Sequence, residues 1–149
     1  MIYYTERNKI MENKLYLFAD HTAEGLSPAL TSEDGWDVMF LNPLERLLVG
    51  NVKDMHKHTE TRECFALVKG KAVLYTADGG DAPENIDARE LQIGTICVVP
   101  KNVWHATAMT EDAKILLIEN SNTTTENTFR CPLTEAQIAK VTEMAKVIL

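Results

Sequence analysis

From Trp36 onward, hydrophobic positions fall in short runs broken by glycine, proline, asparagine and aspartate. The runs are WDVMFL from Trp36, LERLLVGNV from Leu44, ECFALVKG from Glu63, KAVLYTA from Lys71, ELQIG from Glu90, TICVVP from Thr95, VWHATAM from Val103 and AKILLIEN from Ala113. Each is rich in branched and large apolar residues and too short for a typical helix, so each predicts a strand. Strands at this spacing predict an all-β antiparallel sandwich or barrel rather than βαβ units. The polar, acidic stretch GGDAPENIDA at 79–88 is expected to be a solvated, functionally silent loop. Residues 1–35 form a less regular N-terminal extension, in which KLYLF at 14–18 predicts a short strand and Ser27-Pro28 and Asp34-Gly35 predict turns.

The period changes near the C-terminus. Thr134 and Gln137 have the spacing of a capping box, and Leu133 and Ile138 the spacing of a hydrophobic staple. Ile138, Val141, Ala145 and Ile148 then recur on one helical face. The expected organisation is an extension over 1–35, a barrel over 36–132 and an amphipathic helix over 133–149, packed on the barrel or a partner.

Composition narrows the function. At 149 residues with 45% apolar and 25% charged, the chain suits one globular domain. A net charge of −7 argues against nucleic acid and anionic membrane surfaces as partners. No apolar run is long enough to span a bilayer, and MIYYTERNKIMENK offers no uninterrupted apolar stretch for a secretory leader. Cys64, Cys97 and Cys131 are too few and too widely spaced for a disulfide framework or a thiolate zinc site. The expected setting is therefore a reducing, cytoplasmic one.

The chemistry gathers on four residues. His56 and His58 are two apart, so on a strand both imidazoles point to one face. Four residues further, enough for a turn, Glu63 opens ECFALVKG and is expected on the neighbouring strand. His105 follows in VWHATAM. Three imidazoles and one carboxylate suit one divalent iron, manganese, nickel, cobalt, copper or zinc ion and lack the oxygen count that calcium prefers.

Gly50-x5-His56-x-His58-x4-Glu63-x6-Gly70 resembles the first motif of the cupin superfamily. Gly94-x5-Pro100-x-Asn102-x2-His105 resembles the second, with asparagine at 102 where the family usually has glycine and Met109 where it usually has asparagine. Asparagine tolerates the left-handed backbone that glycine supplies there. The resemblance covers roughly residues 36–120 and implies a small single-domain cupin, a double-stranded β-helix or jelly-roll barrel, often dimeric. It also implies His56, His58, Glu63 and His105 as metal ligands.

Strand parity predicts the surroundings. Counting back from His56 places Arg46, Leu48, Val52 and Asp54 on the ligand face. Phe65 and Leu67 share the face of Glu63, and Val103, Thr107 and Met109 that of His105. Arg46, Phe65, Leu67, Val103, Thr107 and Met109 are thus the expected lining of a small-molecule pocket, with Arg46 suited to a carboxylate or phosphate. Tyr75 is a candidate for proton transfer. Trp36 and Trp104 are expected to pack, and His21 to lie on the surface. Six-coordination by four protein ligands leaves two positions for ligand oxygens. The expected function is a metal-dependent enzyme acting on a small oxygenated metabolite, by dioxygenase, isomerase or lyase type chemistry. The alternative is a non-catalytic metal or small-molecule binding protein. A homodimer is expected.

Overall fold

Successive side chains alternate between buried and less buried along Glu63–Lys69 and Lys114–Asn120 of the computed structural model, which describes residues 8–12 and 17–149. β1 (Asn8–Glu12) and β2 (Leu17–His21) form a hairpin sheet of their own. Of the strand expected at 14–18, residues 14–16 lie outside the described residues. β3 (Gly25–Leu26) and β4 (Trp36–Asn42) follow, then a single 3-10 turn at Glu45–Leu47 and β5 (Asp54–His58). Next come β6 (Glu63–Lys69), β7 (Ala72–Asp78), β8 (Glu84–Leu91), β9 (Cys97–Val99), β10 (Trp104–Met109), β11 (Lys114–Asn120), β12 (Thr128–Pro132) and α1 (Glu135–Ile148). The larger strands make two five-stranded antiparallel sheets, β12-β5-β10-β7-β8 and β3-β4-β11-β6-β9.

Three segments depart from the pattern. LERLLVGNV is not a strand. Leu47 and Leu48 donate to the carbonyls of Leu44 and Glu45, and the Asn51 amide caps Glu45 as well. Leu47 and Val52 then bury in different clusters, which breaks the two-residue period. Second, the acidic loop is shorter than expected, because 84–88 belongs to β8 and ELQIG only ends that strand. Charged residues suit β8 as an edge strand, and Ile86 is buried on its outer side, in the cluster beneath α1. Lys140 and Gln137 of α1 also donate to the carbonyls of Ile86 and Pro83. Third, β12 carries no apolar alternation, and pairing along β5 alone makes it a strand, with Pro132 tolerated at a sheet edge.

Between the sheets lies an apolar core that includes Met39, Leu41, Phe65, Leu67, Leu74, Met109, Ile115 and Leu117. A second cluster lies on the outside of the first sheet, where α1 covers Met55, Val73, Tyr75, Trp104 and Ala108 with Val141 and Ala145. The capping box at Thr134 and Gln137 is formed and starts this helix at its docking point. The second sheet also has apolar rows on its outer face, with no helix over them among the described residues. Val38, Ile118, Cys64 and Val98 run across four strands in one row, and Phe40, Leu116 and Ala66 across three in the next.

Asn102 has φ +62° and donates its backbone N–H to the carbonyl of His58 at 2.8 Å, so the departure from glycine is accommodated. His21 is buried at 4% exposure, against the expected surface position, because the chain around it lies along Asn42 and Lys114. Trp104 is buried, whereas Trp36 is 46% exposed. Cys64, Cys97 and Cys131 are free. Among the described residues no helix is long and apolar enough to cross a membrane.

Candidate metal centre

His56 and His58 leave β5 on its inner face, while Met55, one residue before His56, packs outward. β10 runs beside β5 with His105 directly opposite His56. Glu63 arrives from the other sheet, because the turn after His58 crosses between the layers rather than returning alongside β5. One donor atom from each of His56, His58, Glu63 and His105 lies within 4.8 Å of the others. The Oε2 of Glu63 is 2.7 Å from His105 Nε2, 3.1 Å from His58 Nε2 and 3.9 Å from His56 Nε2.

The chemistry of this donor set fits a divalent ion. A backbone carbonyl only accepts, so the 2.9 Å contact between His105 Nδ1 and the Val103 carbonyl places the ring hydrogen on Nδ1. That leaves the Nε2 lone pair at the centre. His58 is held similarly, with Nδ1 2.9 Å from Thr128 Oγ1. Ligands about 2.1 Å from a metal stand about 3 Å apart when adjacent and about 4 Å when opposed, the spacing seen here. Burial brings the His56 pKa down to about 4, with the neighbouring imidazoles adding to the shift and Glu63 opposing it. Burial pushes Glu63 up, but the imidazoles outweigh it and hold the carboxyl well below its usual range. Both groups are thus already in the form a metal needs near neutral pH.

A partner that fixes ring orientation typically contributes 10- to 100-fold to metal affinity. Thr128→Val keeps the side-chain shape and removes the His58 Nδ1 partner. It is expected to weaken metal binding about tenfold, read by competition with a chelating dye, with the fold intact. An unchanged affinity would show that packing alone orients His58.

A cavity of about 440 Å³ opens onto the four residues. Arg46, Phe65 and Thr107 line it. Arg46 does so from the 3-10 turn at the mouth, not from a strand. Leu67 and Met109 are not in the lining but in the core between the sheets, and Val103 packs against that core. Tyr75 is remote, since β7 alternation turns it outward, where its hydroxyl donates to the Val141 carbonyl at 2.7 Å and burial raises its pKa to about 12. Asp54 lines the cavity as parity predicts, and Arg130 and Glu119 line it without any sequence signal. Arg130 and Asp54 form an ion pair in the lining. Glu119 enters from β11 directly across from Glu63. Burial, with the Glu63 charge beside it, raises the Glu119 pKa to about 7.

No protein-family model matches the chain, and no curated protein does. Solved structures do. Pac13, a nucleoside dehydratase, aligns at 10% identity over 92% of this chain and 95% of its own, with a TM-score of 0.57. The Streptomyces Pac13 has been solved with uridine. QdtA, a sugar 3,4-ketoisomerase from Thermoanaerobacterium thermosaccharolyticum solved with TDP, aligns at 14% identity over 96% and 94%, with a TM-score of 0.50. A cupin-2 domain protein from Shewanella frigidimarina shares 22% identity over 66% of this chain and 84% of its own, at a TM-score of 0.47. At these identities the likeness concerns architecture, and by that architecture the chain has the cupin fold.

Proposed function

We propose that the chain is a metal-dependent enzyme acting on a small oxygenated metabolite, by dioxygenase, isomerase or lyase type chemistry. The observation that carries this reading is the cavity, which opens onto the four donor residues and gives a small molecule direct access to them. A structural metal site is normally closed by protein atoms. A divalent ion held there supplies Lewis acidity to a bound oxygen. Phe65 and Leu117 give the cavity apolar walls, and Thr107 and Thr128 offer hydroxyls. Arg46 stands exposed at the mouth with no ion-pair partner among the described residues, so its guanidinium is available to a carboxylate or phosphate of the ligand. Uridine and TDP in the two similar structures support a small-molecule ligand.

One observation favours a non-catalytic binding protein instead. Tyr75, the proton-transfer candidate read from the sequence, is engaged under α1 and absent from the cavity. Elemental analysis of the purified chain, followed by turnover assays on a panel of sugars and hydroxy acids, separates the readings. One divalent ion per chain with turnover supports the enzyme. The ion without turnover supports the binding protein, and absence of any ion after loading counts against both metal readings.

The free thiols suit a reducing, cytoplasmic compartment. We also propose a homodimer, seated on the outer face of the second sheet. Its apolar rows carry no carboxylate although the chain has a net charge of −7, so a second copy meets no like-charge repulsion there. Light scattering at micromolar concentration is expected to give twice 16.7 kDa, and Ile118→Lys to lower it to the monomer mass. A wild-type mass of 16.7 kDa would count against the dimer.

A further inference from the structure

Arg130 enters the cavity lining from β12, the edge strand of its sheet. In the β12–β5 ladder it stands directly opposite His56, as Thr128 stands opposite His58. Directly opposed side chains on one face of an antiparallel pair have Cβ atoms about 5 Å apart. Arg130 is therefore an immediate neighbour of the donor set. Alternation along β5 puts Asp54 on the same face as His56, where its Oδ1 accepts from Arg130 Nη1. That contact fixes one end of the guanidinium. Its Nη2 and Nε make no hydrogen bond or ion pair among the described residues.

The donor set is most open on this side. The His56 side chain is 24% exposed, against 8% for His58 and 2% for His105. A molecule approaching the set meets His56 first, with the unengaged edge of Arg130 beside it. Such an edge is a planar pair of donors that matches the two oxygens of a carboxylate. Exposed ion pairs add little to stability, so tying β12 to β5 accounts for little of this arrangement. We infer that Arg130, aimed by Asp54, is a specificity residue that grips a ligand carboxylate beside His56. The metabolite is then a small hydroxy or oxo acid, with its carboxylate and the neighbouring oxygen at the donor set. This rests on the reading that His56, His58, Glu63 and His105 hold a divalent ion, and it names the class of molecule that the ion serves. Arg46, on the turn at the mouth, is left for groups further along the molecule.

The test uses the full chain loaded with Co²⁺, whose visible spectrum reports changes in its ligands. Glycolate and glycolamide, alike in shape and different in charge, are titrated into wild type, Arg130→Gln and Arg130→Lys. Wild type and R130Q are expected to hold one cobalt per chain. R130Q should bind glycolate at least tenfold more weakly than wild type and glycolamide within twofold of it. R130K keeps the charge and loses the fork, so its glycolate affinity should fall several-fold. Glycolate affinity within twofold of wild type in R130Q would overturn the inference and leave the metal reading intact. Equal losses for glycolate and glycolamide would also overturn it, by showing a cavity disturbed as a whole. Should R130Q not fold, R130K decides alone, and unchanged glycolate affinity there overturns the inference. Failure of wild type itself to take up cobalt would overturn the metal reading, and this inference with it.

Discussion

Replacing both His56 and His58 with alanine is expected to reduce bound metal from one ion per chain to a trace while the barrel stays folded. The two residues supply half of the converging donor atoms, and the remaining pair, Glu63 and His105, makes a two-ligand site that competing chelators strip readily. The fold should survive because neither histidine belongs to the apolar core between the sheets or to the cluster beneath α1. Linkage gives a second readout. A ligand at about 100 times its dissociation constant stabilises the native state by about 2.7 kcal/mol, so added metal should raise the wild-type melting temperature and leave the double variant unmoved. Metal content unchanged in the folded double variant would refute the assignment of these four residues.

Gly70→Ala is expected to cost about 3 kcal/mol, a large share of a typical domain's stability. Gly70 sits between β6 and β7 at φ +70°, a left-handed backbone that costs a residue with a Cβ about 1–2 kcal/mol. Space is the larger obstacle. A Cβ there would stand 2.5 Å from Ala113 Cα and 2.7 Å from Ala113 N, both backbone atoms that move only if the turn before β11 moves. Gly94 is the control, at φ +88° with nothing within 4 Å of an added Cβ. Gly94→Ala should therefore show the conformational cost alone, about 1 kcal/mol. Chemical denaturation of the two variants measures the difference, and equal losses would show that Ala113 yields to the added methyl.

Local spacing made much of the fold legible. The donor residues stand out because two-residue spacing encodes a strand face and a short polar insert encodes a turn. The capping box and staple likewise announce α1 before any tertiary contact is known. Glu119 was silent because nothing in AKILLIEN distinguishes an acid that ends a strand in solvent from one that ends it in a cavity. Only the pairing of β11 with β6 decides, and that pairing joins distant parts of the chain. β12 was missed for a related reason. Its polar residues satisfy β5 rather than a core, so no apolar period marks it. Arg46 and Tyr75 show the limit of parity. Arg46 lies at the cavity although the strand used to count toward it is a turn. Tyr75 lies on a real strand whose phase sends it to the wrong side.

The position of β12 has a consequence for how the site comes into being during synthesis. The strand bearing His56 and His58 is flanked by β10 and β12, both made much later, and the Thr128 contact to His58 spans 70 residues. As the chain leaves the ribosome, His56, His58 and Glu63 emerge close together, but the third imidazole and the hydroxyl that orients His58 are still to come. Loop closure must therefore precede site assembly, which favours slow, late folding over folding from the N-terminus. A nascent chain arrested before residue 128 would carry every donor residue and still lack a flanking strand, so ribosome-bound chains should acquire tight metal binding only after β12 has cleared the exit tunnel.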